Sequence, residues 1–500
     1  MSRASRATRV AAITAHRMGR SAGYAATRGV AGAMNARGGR AVARGLVGPW
    51  DPTPPAGSSD YRDFSGVARP GDINCDGWLL PLGRYVRPKH PWQAREPIGL
   101  PPQEVNRHTM VLGPTRAGKT AGLIAPWLFE ATRAGYHVVS IDVKGHGDLE
   151  KEVVAYRDAV APGERFALWR WTYQDPSRSM SWNFVADLTS DAAVNAAAEA
   201  ICGRPRDNDP NRNFHLRDLK WAKGLLELAH DSGDPHNVRT LLGLLADQDA
   251  LQHLVRRHSR SRGAQRLEAL CLLDSYEYAK ATEFLSTYFE VLNTPGFVDV
   301  TTAPQVTMDR LACESAGLTI VTAPVADKEL GATASGLFIA QLLARRLSSY
   351  AMNQPPMLLA LDEAPRLFDR VDLGALLSLA AGANVSVLLG IQDIAQIPVD
   401  NRDEMIANCG TLVVLSGANH TTTEYAGKRL GTRVRQTASS SDSYDRRGRI
   451  RSYTTGSEPV PVLGHNELVH PPTGLRGAVV LNNRLSMRPI LVDLTRPDLA

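Results

Sequence analysis

The chain is 500 residues long, enough for a large core and two or three domains, and its 43% hydrophobic and 22% charged content is ordinary for a soluble globular protein. Its five cysteines lie far apart with no CxxC or CxxH group, which argues against zinc and a disulfide framework and for a reducing compartment; no apolar run is long enough to cross a bilayer. The net charge of +6 is uneven: residues 1–50 hold nine arginines, no lysine and no acid, so the remaining 450 residues carry a net −3.

Three readings stand for this basic arm, which begins with Arg3, Arg6 and Arg9. Its glycines suit a solvated disordered tail, its charge suits a patch for nucleic acid or anionic lipid, and its Arg-rich, acid-free composition suits a transit peptide. Residues 51–104 are rich in Pro and Gly with scattered aromatics, and read as an irregular lead-in with a few short strands.

From about residue 105 the pattern becomes α/β. His108 to Leu112 is a short buried strand, and the next eight residues are Gly113, Pro114, Thr115, Arg116, Ala117, Gly118, Lys119 and Thr120. They fit G-x-x-x-x-G-K-[ST], the loop that wraps nucleotide phosphates. The glycines let backbone N–H groups turn toward phosphate oxygens, Lys119 supplies charge for the β- and γ-phosphates, and the Thr120 hydroxyl is a Mg²⁺ ligand. A helix follows over Ala121 to Phe129, with Pro126 expected to kink or break it. Strand, loop and helix in that order predict binding of ATP or GTP. A second strand, His137 to Val143, ends at Asp142-Val143-Lys144-Gly145, where open α/β sheets place ligands. Two readings stay open there, a contact to nucleotide or a neighbouring subunit, and a structural Asp–Lys turn.

Residues 186–298 change to apolar spacings of three and four, the pattern of an all-helical block interrupted by a polar loop, Arg204 to Asn213. Strands resume at Leu318–Thr322, Met357–Leu361, Val385–Ile391, Thr411–Leu415, Ala478–Leu481 and Pro489–Val492. Near-continuous apolar strands belong to a mostly parallel sheet covered on both faces. The strand Met357–Leu361 ends in Asp362 and Glu363. Beside a phosphate loop, Asp362 serves the Mg²⁺ shell and Glu363 acts as general base toward water, which favours ATP hydrolysis by a RecA-like motor. The next strand ends at Gln392, a γ-phosphate sensor or, alternatively, a cap for the turn beginning at Ile394. Arg366, Arg429 and Arg433 are candidates for an arginine acting across a subunit boundary. Thr437 to Glu458 is Ser/Thr/Arg-rich and reads as a long, mobile hairpin loop.

The assembled motifs resemble the conjugative coupling proteins of type IV secretion, the TraD/TraG family of RecA-like, HerA/FtsK-type ATPases. The resemblance runs from about residue 105 to about 495. It rests on the phosphate loop, the Asp142–Gly145 strand end, Ser181-Trp182-Asn183-Phe184, Leu361 to Leu367, the strand ending at Gln392, Asn408-Cys409, and the Pro461–Leu463 and Asn466–Leu468 runs. It implies an α/β fold, a RecA-like P-loop NTPase with a mostly parallel sheet interrupted by an inserted all-α domain. The divisions expected are an arm (1–50), a lead-in (51–104), a nucleotide-binding domain in two parts (105–185 and 299–500), and the inserted helices (186–298).

The resemblance also implies a homo-hexameric, ATP- and Mg²⁺-dependent pump. It recruits relaxase-bound DNA (the relaxosome) and threads it to secretion-channel proteins, with Lys119, Thr120, Asp362, Glu363 and Gln392 in the roles above and the helical block contacting DNA or the relaxosome. Members of that family commonly begin with two membrane-spanning helices, and here the arginine arm stands in their place. The expectation is a cytoplasmic protein, peripheral at the membrane face if the arm meets anionic lipid. Two alternatives carry other predictions: a nucleotide-switched adaptor for protein cargo, and a DNA-processing or segregation motor of the same superfamily.

Overall fold

Two strands of the lead-in open the structure, β1 (Leu80–Arg87) and β2 (His90–Leu100), followed by a short helix α1 (Pro102–Val105) and the strand β3 (Thr109–Leu112). The computed structural model describes residues 67–494 apart from 70–71, 75–76, 88–89, 146, 206–208, 315–316, 349–353, 446–447 and 472–475; the arginine arm and Cys75 lie outside the described residues. Beyond the phosphate loop a π-helical turn, Lys119–Ile124, runs into α2 (Ala125–Arg133). Pro126, expected as a kink or break, stands where the π-helical turn gives way to α2, a junction that its missing N–H suits.

The chain continues through β4 (His137–Asp142), α3 (Asp148–Val160) and β5 (Leu168–Thr172), the last an edge strand. Seven α-helices among the described residues then intervene: α4 (Asp191–Cys202), α5 (Arg212–Ser232), α6 (Val238–Ala246), α7 (Gln248–Arg257), α8 (Arg262–Cys271), α9 (Ser275–Glu290) and α10 (Pro295–Thr302). Their boundaries follow from capping chemistry. Side-chain oxygens of Ser190, Asn237, Asp247, Ser261 and Asp274 accept first-turn N–H groups, and Asp247 splits one long apolar run into α6 and α7.

Next come β6 (Gly317–Thr322), α11 (Lys328–Ser348), β7 (Met357–Asp362), α12 (Leu373–Ala380) and β8 (Val385–Ile391). The chain ends with α13 (Val399–Asn408), β9 (Thr411–Leu415), α14 (His420–Leu430), the pair β10 (Thr432–Asp445) and β11 (Gly448–Pro461), α15 (His465–Val469), β12 (Gly477–Leu481) and β13 (Ile490–Asp493). Eleven strands form one sheet in the order β2-β1-β13-β12-β9-β3-β8-β7-β4-β6-β5. From β9 to β5 all neighbours are parallel, and β12, β13, β1 and β2 extend the β9 edge by antiparallel pairing. The fold is thus α/β with a mostly parallel sheet.

Side-chain alternation along the strands divides the core between two faces. Val138, Leu358, Ala360 and Leu388 pack with Trp127, Leu128 and Phe129 of the helix that follows the phosphate loop. Val139, Ile141, Leu359, Leu361, Val387 and Leu389 belong to the core that continues into the helical block. That block is anchored by aromatic rings: Trp171 of β5 meets Trp182, Phe297 and Phe338 with centroids 6.1, 6.0 and 5.7 Å apart.

The segment read as a mobile hairpin loop is instead a regular two-stranded ribbon, β10 pairing with β11 in unbroken register from Thr432↔Pro461 to Asp445↔Gly448. Ser, Thr and Arg are frequent there and apolar residues few, so the sequence shows no apolar alternation that would make a strand legible. No described helix is long and apolar enough to cross a membrane.

Candidate nucleotide site

The phosphate loop leaves the carboxyl end of β3, which lies between β8 and β9. Gly113 continues the β3–β8 pairing through its N–H to Ile391 O at 3.1 Å, and a Cβ there would come 2.6 Å from the Leu415 Cβ of β9. Gly118 turns the chain with φ +94°, a conformation that favours glycine, and hands over to the π-helical turn. Lys119 opens that turn and is buried. Its ammonium donates to the carbonyl oxygens of Gly113 at 2.6 Å and Pro114 at 3.4 Å, so the side chain folds back across its own loop. Burial pulls its pKa down, and the carboxylates of Asp362 and Glu363 oppose that shift.

Strand order brings the acids to this loop. β7 lies beside β8, and Asp362 at its end reaches Thr120, whose hydroxyl donates to Asp362 Oδ2 at 2.7 Å. Glu363 is the first residue past the strand and holds φ +71°, a left-handed conformation that costs a non-glycine residue and marks functional turns. The Gln392 amide, at the end of β8, donates from Nε2 to both Glu363 carboxylate oxygens at 2.8 Å each. Gln392 does not cap the next turn with its side chain. Asp393 does that, accepting from Ala395 N, while Gln396 bonds back to the N–H groups of Gln392 and Asp393.

Lys144 completes the cluster. β4 pairs with β7, so the Asp142–Gly145 turn lies one strand from Asp362. The Lys144 ammonium donates to Thr120 Oγ1 at 2.9 Å and to Asp362 Oδ2 at 3.1 Å, bridging the hydroxyl and the carboxylate. Asp142 shapes the turn by accepting the Lys144 N–H at 3.0 Å, and burial raises its pKa. The structural reading of this turn holds, with Asp142 building it and the Lys144 ammonium reaching Thr120 and Asp362. The sequence could not choose between the two readings because the neighbour of β4 is a non-local fact.

The fit to a divalent cation can be tested on the donors. Thr120 Oγ1 and Asp362 are hard oxygen ligands of the kind Mg²⁺ takes. Asp362 Oδ1 and Asp142 Oδ2 are buried with no hydrogen-bond partner, and an ammonium already stands between the two ligands as a substitute positive charge. The residues fit the ion.

The three candidate arginines separate. Arg366 is exposed in the turn after Glu363 and lines a cavity of about 600 Å³ with Glu329, Asp369 and Arg370. Arg429 and Arg433 line a different cavity with Leu481 and Asn482. Asn482 bonds Thr411, the first residue of β9, so that cavity lies at the amino end of the strands, and the phosphate loop at their carboxyl end. Sequence reading also missed how the turn after Glu363 is tied to the helical block. Arg370 donates to the C-terminal carbonyls of α4, Ala200 O at 3.3 Å and Ile201 O at 2.7 Å, and Arg204 pairs with Asp372.

Comparison with known proteins gives this arrangement a family. A model described as Type IV secretory system Conjugative DNA transfer matches residues 76–228, and one described as TraM recognition site of TraD and TraG matches residues 356–472. No curated protein sequence matches the chain. Among solved structures, the bacterial conjugative coupling protein TrwBdeltaN70 in an unbound form is similar at 19% identity, covering 80% of this chain and 86% of its own, with a TM-score of 0.59. TrwB in complex with ADP and Mg²⁺ is similar at 19% identity over 81% of this chain and 88% of its own, and TrwB with the non-hydrolysable analogue ADPNP at 19% over 85% and 97%, each with a TM-score of 0.59. These likenesses carry the RecA-like fold of the sheet, and the two family models span both its nucleotide-loop and its Asp-Glu halves. The chain belongs to the conjugative coupling proteins of the TraD/TraG type.

Proposed function

We propose that the protein is an ATP-hydrolysing motor that drives DNA through a conjugative transfer channel. The observation that carries this reading is the convergence of Thr120, Asp362, Glu363 and Gln392 at the carboxyl ends of adjacent parallel strands. Nucleotide phosphates would take the loop N–H groups, and Lys119 would exchange its Gly113 carbonyl for β- and γ-phosphate oxygens. Thr120 and Asp362 would hold Mg²⁺, which neutralises charge on the phosphates. Glu363 accepts a proton from the attacking water, and Gln392, by holding both carboxylate oxygens, fixes the direction in which that base points. The Arg370 and Arg204 ties offer a short path from the catalytic turn to the helical block.

The wider reading follows from the family. It comprises a homo-hexamer, relaxase-bound DNA as cargo, secretion-channel proteins as partners, and a cytoplasmic location that the arm at 1–50 makes peripheral to anionic membrane. The description of the model matching residues 356–472 names a protein recognition site, which favours a second reading, a nucleotide-switched adaptor for protein cargo. Steady-state ATPase assays on the full chain with and without single- or double-stranded DNA separate the two. Turnover that rises several-fold with DNA supports the motor. Turnover indifferent to DNA, with no DNA affinity at low salt, sinks it in favour of the adaptor.

A further inference from the structure

Lys144 has a fixed backbone and a movable end. Asp142 Oδ1 accepts its N–H at 3.0 Å, and the next residue, Gly145, holds φ +77°, where a Cβ would come 2.8 Å from Pro324 Cγ. The turn is therefore pinned both to the end of β4 and to the segment after β6. The side chain it carries is 44% exposed, against 5% for its partner Asp362. A flexible, half-exposed lysine on a rigid turn can swing its charge without moving the backbone.

The place of the ammonium makes that swing necessary. It donates to Thr120 Oγ1 at 2.9 Å and to Asp362 Oδ2 at 3.1 Å, the two ligands that fit Mg²⁺. An ammonium and a divalent cation cannot hold the same two oxygens, because their repulsion at such short range is barely screened. A lysine that only shaped the turn would have no need to end on those oxygens, since the Asp142 bond to its backbone N–H already shapes it.

Charge decides where the ammonium goes. Lys119 does not draw it, for burial and, more weakly, the Lys144 charge both lower the Lys119 pKa. Glu363 is held through both carboxylate oxygens by the Gln392 amide. Asp142 gives one oxygen to the turn and buries the other. Nucleotide phosphates bring fresh anionic oxygens to this cluster. The last of them most needs a cation, because the carboxylates of Asp362 and Glu363 oppose its charge.

Building on the ATP-hydrolysing reading, we infer that Lys144 is a further nucleotide-contacting residue. Its ammonium yields Thr120 and Asp362 to Mg²⁺ and turns to the terminal phosphate, so this turn tells a nucleoside triphosphate from a diphosphate.

Calorimetric titration of the full chain with ADP and with the non-hydrolysable analogue ADPNP, both in Mg²⁺, tests it without any turnover. Removing the ammonium lifts the cost of displacing it for both nucleotides alike, so the ratio of the two affinities isolates the terminal phosphate. In Lys144→Met the preference for ADPNP over ADP should fall by about tenfold or more, the worth of one hydrogen bond to a charged group. Lys144→Arg keeps the charge and should hold the wild-type ratio within about threefold. Should Lys144→Met fail to fold, Lys144→Gln keeps a donor for Asp362 and carries the same expectation.

An unchanged ratio in the neutral variant overturns the proposal in either form. If both nucleotides bind as tightly as before or tighter, Lys144 only covers the Asp362 charge. If both bind more weakly by the same factor, it only shapes the phosphate loop. A wild-type chain that binds neither nucleotide fails the ATP-hydrolysing reading itself, so the two failures are told apart.

Discussion

At the carboxyl ends of β3, β4, β7 and β8, opposite charges close on one another: Lys144 lies 3.1 Å from Asp362, and the Lys119 ammonium is spent on its own loop. At the amino end of β9, three arginines share a cavity with no acid among its walls. The first edge is self-neutralised, so a ligand must displace bonds already made, and the reward is selectivity for an ion and phosphates arriving together. At the second, the acid that meets Arg488, Asp72 at 3.6 Å, stands outside the cavity wall. One sheet thus carries closed ion pairs at one end of its strands and a wall of arginines at the other.

The sharpest way to break this comparison is at Glu363. Glu363→Gln keeps an oxygen for the Gln392 amide but removes the base, so ATP turnover should fall by roughly 10²–10⁴-fold while nucleotide affinity stays within about threefold. Steady-state turnover and fluorescent-nucleotide titration, run on one preparation, give both numbers. Near-normal turnover would mean that the strained turn after β7 has no catalytic part and that the polar cluster is structural.

What could be read in advance divides along local and non-local lines. Gly113 to Thr120 and the Asp362–Glu363 strand end are legible because each packs its chemistry into fewer than ten residues beside an apolar strand. The helical block is legible from its spacing, and its breaks from Asp247 and the other capping residues. Lys144 is ambiguous in sequence because its role depends on β4 lying beside β7, a pairing between residues more than 200 positions apart. β5 escapes a sequence reading, since Leu168-Trp169-Arg170-Trp171-Thr172 is a half-buried edge strand whose Arg170 bonds Glu150 and breaks the apolar run. The ribbon reads as loop because its Ser-, Thr- and Arg-rich sequence has no apolar alternation, and the pairing of β10 with β11 is visible only in the structure.

Lys144 offers a finer test of the self-neutralised edge. Lys144→Met leaves the buried Asp362 carboxylate with the Thr120 hydroxyl but without a cation. Because the lysine side chain is 44% exposed, the loss in the nucleotide-free protein should be modest, about 1 kcal/mol. Mg²⁺ added without nucleotide should then restore the melting temperature of Lys144→Met and leave the wild type nearly unmoved. Thermal melts with the metal and with chelator decide it. Equal responses in both proteins would show that the ammonium and the metal do not compete for the same two ligands, and the contrast between the two edges would lose its main support.

The smallest effect expected is a pH dependence seated just before the phosphate loop. His108 is buried at φ +56°, with Nδ1 accepting the Val387 N–H at 3.1 Å and Nε2 bonded to Leu377 O at 2.9 Å. Those partners require the neutral ring, and burial lowers its pKa from 6.5 despite the Leu377 carbonyl, which favours the proton. The folded state therefore resists protonation more than the unfolded one. The stability that His108 lends is complete above the unfolded value of 6.5 and is lost as pH falls below it through the lowered folded value. Half-buried His236, also lowered by burial, acts in the same sense. Melting temperature should thus decline from about pH 7 toward about pH 5, by a few degrees at most in a chain of this size. His108→Asn, which tolerates the left-handed backbone, should melt lower at neutral pH and show a flatter decline. An unchanged slope in that variant would move the acid sensitivity elsewhere and leave the strand beneath the phosphate loop indifferent to pH.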